Sequence, residues 1–177
     1  YAVYHNRLCQ KEIIDGISVI RVWSFIAENK GFTKRILDYI SYMITSFLAS
    51  FFVLKVDIVV GTSPQFFTAV SAWMVSGFKR KPFVFEVRDL WPDSVHAVGA
   101  MQESKLLAIL KRFEIFLYSR ADAIVTVTRS FKRILENRGV SCEKIHVVTN
   151  GVEVKNFKPR KKNKKLVASL GLVDKFL

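Results

Sequence analysis

After an apolar run at 82–87 stand Arg88, Asp89, Trp91 and Asp93, the side chains in this sequence best suited to chemistry. An arginine presents a planar fork of donors that matches phosphate or carboxylate. An aspartate beside that cation stays ionised and can accept from sugar hydroxyls or take a proton. Trp91 offers a flat face on which a sugar ring could rest. A structural reading stands next to this one: Arg88 bridges to a neighbouring acid, and Asp93 or Ser94 caps a following helix. Ser63-Pro64-Gln65, Thr128-Arg129-Ser130 and Asn150-Gly151 follow apolar runs in the same way. Thr128 and Ser130 read first as N-caps, although the free N–H groups of a helix start can also hold an anion. Asn150-Gly151 reads as a turn, with Gly151 able to take a positive φ and redirect the chain.

The elements between these clusters are what would bring them together. Strands are expected over 17–23, 57–62, 82–87, 123–127 and 145–149, with Pro82 at a strand start where its missing N–H is tolerated. Helices are expected over 33–54 (after Gly31), 66–78, 104–120 and 130–138, the last ended by Gly139. The strands are short and nearly continuously apolar, which predicts burial on both faces. Alternation of strand and helix then predicts a Rossmann-like, doubly wound α/β domain with a parallel sheet. Ligands of such open sheets bind beyond the carboxyl ends of the strands. Ser63, Arg88, Asp89, Trp91 and Asn150 are thereby expected on one rim, with Asp89 the catalytic candidate and the other four binding substrate.

Composition limits the alternatives. The chain has 177 residues, 50% hydrophobic and 24% charged, which suffices for one cored domain and excludes disordered and collagen-like classes. Cys9 and Cys142 lie far apart and the histidines are His5, His96 and His146, so neither a disulfide framework nor a metal site is expected. Reduced thiols and the lack of an apolar leader at the start fit a cytoplasmic setting. The net charge is +13, and residues 155–165 carry seven lysines and arginines against no acid, leaving +6 elsewhere. Such a chain favours anionic partners, or the run is a solvated connector. Residues 39–54 are uncharged but too few to span a bilayer, which takes about 20. They read as a core helix packed on the sheet, or as a helix lying on a membrane surface with Lys34, Arg35 and Lys55 at its ends. No GxGxxG, P-loop, GxSxG or HExxH motif is present, and no nucleic-acid module is recognisable.

Three blocks carry a resemblance: FVFEVRDLWPDS (83–94), RFEIFLYSRADAIVTVT (112–128) and KIHVVTNGVEVKNFKP (144–159). Together with residues 29–67 they resemble the amino-terminal domain of bacterial glycosyltransferase family 4 enzymes, in the branch that builds O-antigen, capsule and similar surface polysaccharides. The resemblance implies one half of a two-domain GT-B fold, in which the first domain binds the acceptor and the second binds the nucleotide-sugar donor and carries a glutamate pair. It implies sugar transfer with retention of configuration, to a lipid-linked or saccharide acceptor, without a cofactor or structural metal. Many members carry His-Asp where this chain has Arg88-Asp89, so the aspartate matches and the histidine's role does not pass to Arg88.

These readings combine into an expected organisation. Residues 1–154 form the acceptor-side domain lacking its first strand, 155–165 a basic connector, and 166–177 the start of a truncated donor domain. Such a piece is expected to be inactive alone and peripheral at the inner face of the cytoplasmic membrane. The competing reading is a non-catalytic, basic, membrane-surface binding module. Nonspecific nucleic-acid binding through the lysine run is the weakest of the three, and no nucleic-acid partner is expected.

Overall fold

A computed structural model describes residues 6–26, 32–63, 65–91, 93–94, 105–158 and 162–171. His5, Gly31, Pro64, Pro92, His96, Ser104, and positions 159–161 and 172–177 of the connector and following segment lie outside the described residues.

Two strands open the chain, β1 (Cys9–Ile14) and β2 (Ile17–Val22). Helix α1 (Phe32–Ser50), β3 (Val59–Thr62), α2 (Phe66–Lys79) and β4 (Phe83–Val87) follow. Next come α3 (Lys105–Arg120), β5 (Ala123–Thr126), α4 (Arg129–Asn137), a 3-10 turn (Cys142–Lys144), β6 (Ile145–Val147) and α5 (Lys164–Ser169). Strands β3, β4, β5 and β6 form one parallel sheet in chain order, the Rossmann-like core that the alternation predicts.

The expectation of a sheet buried on both faces is corrected. Phe83, Phe85, Val87, Ile124, Thr126 and Ile145 share the buried face. On the other face Val60 and His146 are exposed, and Val84, Glu86 and Val125 are half-buried. Parallel crossovers are right-handed, so strands laid down in one direction place their connecting helices on one side. Gly61 marks how closely α2 approaches: a Cβ there would lie 2.6 Å from Ala72 Cβ and 3.0 Å from Ala69 Cα. Trp91, Leu107, Leu117, Tyr118 and Leu135 complete this core.

The run at 17–23 forms a strand, but not in the parallel sheet. It is β2, paired antiparallel to β1 from Cys9↔Val22 to Ile14↔Ile17. The turn is Asp15-Gly16, with φ of 50° and 82°, the left-handed pair that a two-residue hairpin of the right twist requires. Helix α1 is shorter than expected: beyond Ser50, N–H groups of Phe51, Phe52 and Val53 bond three residues back, and the turn tightens and ends. It packs on α2 rather than on the sheet. Ser46 and Ser71 share a hydroxyl bond of 2.8 Å, and Phe47 and Phe51 meet Phe78 edge-on. Its other flank holds the chain leaving β2, where Thr45 Oγ1 donates to the Trp23 carbonyl at 2.7 Å. Among the described residues no helix is long and apolar enough to cross a membrane.

Candidate functional site

The end of β3 fixes the loop after β4. In-register pairing sets Thr62 opposite Glu86, and the next residue, Ser63, donates its N–H to the Glu86 carbonyl at 3.0 Å. Its side chain then lies beneath the turning backbone. Ser63 Oγ accepts from the N–H groups of Arg88 (2.9 Å) and Asp89 (3.0 Å), and lies 3.2 Å from the Asp89 carbonyl, to which it donates. Two donors that a strand end would leave orphaned are thereby satisfied by one buried hydroxyl. Ser63 is only 3% exposed, so it shapes the loop from within.

What that loop presents outward is charge. Arg88 is exposed, and its guanidinium has no hydrogen-bond or ion-pair partner among the described residues. The structural reading in which Arg88 bridges to an acid is not what is found. Asp89 is half-buried, and Ser94 Oγ donates to its Oδ2 at 2.9 Å, leaving lone pairs on both carboxylate oxygens. The Ser94 N–H meanwhile bonds the Leu90 carbonyl at 2.9 Å, the first helical step after the loop.

Trp91 faces the opposite way. Its ring is 6% exposed and stacks on Phe66 with centroids 4.7 Å apart, with Phe67 at its edge. The expectation of a sugar-bearing face is corrected: an indole this large, next to two aromatics at the start of α2, gains more from burial than from exposure. Asn150 lies beyond β6, exposed, with no side-chain partner among the described residues. Ser63, Arg88 and Asp89 are therefore brought together, and Asn150 sits two strands away on the same sheet end. Gly151 does not take the positive φ expected of it, whereas Gly139 does, at 86°. Thr128 is an N-cap as expected, its Oγ1 accepting from Phe131 N–H at 3.1 Å. Among the described residues no group of three His, Cys, Asp or Glu side chains gathers to hold a metal.

A second cluster lies behind the loop. Asp93 takes Lys111 Nζ at 3.0 Å through Oδ1 and the Arg138 guanidinium through Oδ2. The other arm of that guanidinium donates to Glu114 Oε2 at 3.0 Å, and Tyr118 donates its hydroxyl to Glu114 Oε1. Glu114 is 2% exposed. Burial raises its pKa from 4.5 to about 7, with the Tyr118 hydrogen bond and the Arg138 charge pulling the other way. The Tyr118 hydroxyl is itself pushed above the ordinary tyrosine range by burial and by the adjoining carboxylate. Sequence reasoning missed this cluster because its members lie up to 45 residues apart. One local signal was there: Glu114 falls at the helical spacing of Leu107, Leu110 and Leu117, an acid on the buried stripe of α3.

The parallel, helix-flanked sheet agrees with the comparisons. Curated proteins give no match to this chain. The model of Glycosyltransferase Family 4 matches residues 6–156, from before the hairpin to beyond the last sheet strand. The chain belongs to Glycosyltransferase Family 4, with the Rossmann-like α/β architecture of half a GT-B enzyme.

Proposed function

We propose that this domain forms the acceptor side of an enzyme that moves a sugar from a nucleotide-sugar to a lipid-linked or saccharide acceptor in surface-polysaccharide synthesis, with retention of configuration. The observation that carries the reading is the solvent-facing guanidinium of Arg88, without a partner among the described residues, beside the half-buried carboxylate of Asp89, on a backbone fixed by Ser63. A solvent-facing fork of this kind is available to pair with carrier phosphate. Asp89 orients or deprotonates an acceptor hydroxyl, and Asn150 lends an amide at the far end of the rim. Donor contacts belong to a second domain, without which transfer is not expected.

Membrane-surface attachment at the cytoplasmic face is part of the same reading. Leu37, Ile44 and Leu48 form an exposed apolar stripe on α1, with Phe52 and Leu54 exposed just beyond its end. Lys34 and Lys55 flank the stripe, and each basic residue near an anionic surface contributes about 1 kcal/mol. The same stripe and charge are what favour the alternative, a membrane-binding module without catalysis.

The test uses the chain together with whatever its gene encodes on either side, supplied with radiolabelled nucleotide-sugars and polyprenyl-phosphate-linked acceptors. Label transfer that is lost in Asp89→Ala supports the enzyme reading. Label transfer from none of the donors, with salt-sensitive binding to anionic vesicles retained in Asp89→Ala, supports the module. Anomeric configuration of the product, read by NMR, decides retention. For the surface itself, Ile44→Glu with Leu48→Glu is expected to lower the affinity for phosphatidylglycerol vesicles at least tenfold, and unchanged binding would remove α1 from the account.

A further inference from the structure

The loop that carries Arg88 and Asp89 is held at both ends by different means. At its start, Ser63 Oγ takes two successive backbone N–H groups. At its end, Asp93 is gripped by Lys111 from α3 and by Arg138 from the residue that follows α4. Among the described residues Arg138 has one other side-chain ion pair, with Glu114, so its fork spans the gap between a buried carboxylate and a half-exposed one. The geometry is that of a brace. Glu114, fixed by Tyr118 within α3, sets the guanidinium plane, and that plane sets Asp93. Nothing about packing alone requires two carboxylates and two cations here, since buried ion pairs are seldom worth more than apolar residues of the same volume. What they do supply is direction: the two arms of one rigid, planar guanidinium, one on each carboxylate, fix how Asp93 lies relative to Glu114.

We propose that Arg138 is a positioning residue, which orients the Arg88-Asp89 loop by bridging Asp93 to Glu114. The inference rests on the reading of Arg88 and Asp89 as substrate-facing, but the brace itself is measurable without substrate. The charged and titratable groups facing Glu114 are Lys111 and Tyr118 from its own helix, Arg138 from the end of α4 and Asp93 from the loop. An ionised Glu114 fixes the fork most firmly, so the loop tightens as pH rises through neutrality.

Amide hydrogen exchange on the full chain, expressed as protection factors to remove the intrinsic effect of pH, tests this. Arg138→Lys keeps the charge and loses the fork, and Asp93→Asn removes the partner. Each is expected to lower protection at the Arg88 and Asp89 amides about tenfold, with the Phe85 and Ile124 amides unchanged and no further loss in the double variant. In Glu114→Gln the rise in loop protection between pH 6 and 8 disappears. Protection that stays at the wild-type level, or that falls equally at Phe85 and Ile124, overturns the brace. Should the Arg138 variant not fold, Asp93→Asn, on a side chain 39% exposed, carries the test alone. Sugar transfer separates the two claims: turnover falling in step with loop protection supports positioning, and full turnover from a loosened loop overturns it. Failure of the substrate-facing reading shows elsewhere, as transfer that survives Asp89→Ala.

Discussion

Replacing Glu114 by Gln should change how stability depends on pH, in a direction and amount set by the burial of that carboxyl. In the folded chain its pKa is raised from 4.5 to about 7, chiefly because the charged form is taken out of water. Between those two values the folded state holds a proton that the unfolded state has released. Stability therefore falls as pH rises across this window, and is level below it and above it. At about 1.4 kcal/mol for each pH unit, the full fall is about 3 kcal/mol. Glutamine has nearly the same shape and no charge to desolvate. Its carbonyl can accept from Arg138, its amide can donate to the Tyr118 hydroxyl, and the pH-linked penalty vanishes. Urea unfolding of both proteins at pH 5, 6, 7 and 8 measures it. Subtracting one series from the other cancels groups that titrate alike in both. The difference, wild type minus variant, should fall by about 2–3 kcal/mol from pH 5 to pH 8. Parallel curves would refute the reasoning, and would mean that Arg138 and Tyr118 compensate the burial of the charge in full.

Other expectations follow from the same contacts. Ser63→Ala leaves the Arg88 and Asp89 N–H groups without their acceptor; since water reaches part of this loop, the loss should be about 2 kcal/mol in urea unfolding, with faster exchange at those two amides. Gly61→Ala drives a methyl group to 2.6 Å from Ala72 Cβ and 3.0 Å from the α2 backbone, and should cost about 1–3 kcal/mol in the same assay by forcing β3 and α2 apart.

The parallel sheet was legible because each of its strands is a short β-rich apolar run between turn residues, and the helices between them are long enough to show their period. The strand-end rule then placed Ser63, Arg88 and Asp89 together without any motif. Four features were harder. The hairpin does not read from the sequence, although Asp15-Gly16 states its turn locally, because β1 carries Gln10, Lys11 and Glu12 and lacks the pattern of a buried strand. Trp91 reads as a ligand contact because charged residues surround it along the chain, whereas its neighbours in space are Phe66 and Phe67, more than twenty residues earlier. The one-sided burial of the sheet depends on strand order, which apolar runs do not encode. The Glu114–Arg138–Asp93 brace joins three elements, and only the acid on the buried stripe of α3 hints at it.

The central claim is that the loop after β4 acts on substrate through Asp89. The most direct test is the turnover of Asp89→Asn against wild type in the transferring protein, with label passed from nucleotide-sugar to a polyprenyl-phosphate-linked acceptor. Asparagine keeps the size of the side chain and can still accept from Ser94, so the fold is preserved while the charge is lost. The account predicts a fall in turnover of at least about a hundredfold, the scale of a lost general base. Turnover within a fewfold of wild type would contradict it, and would leave Asp89 as a residue that merely shapes its loop.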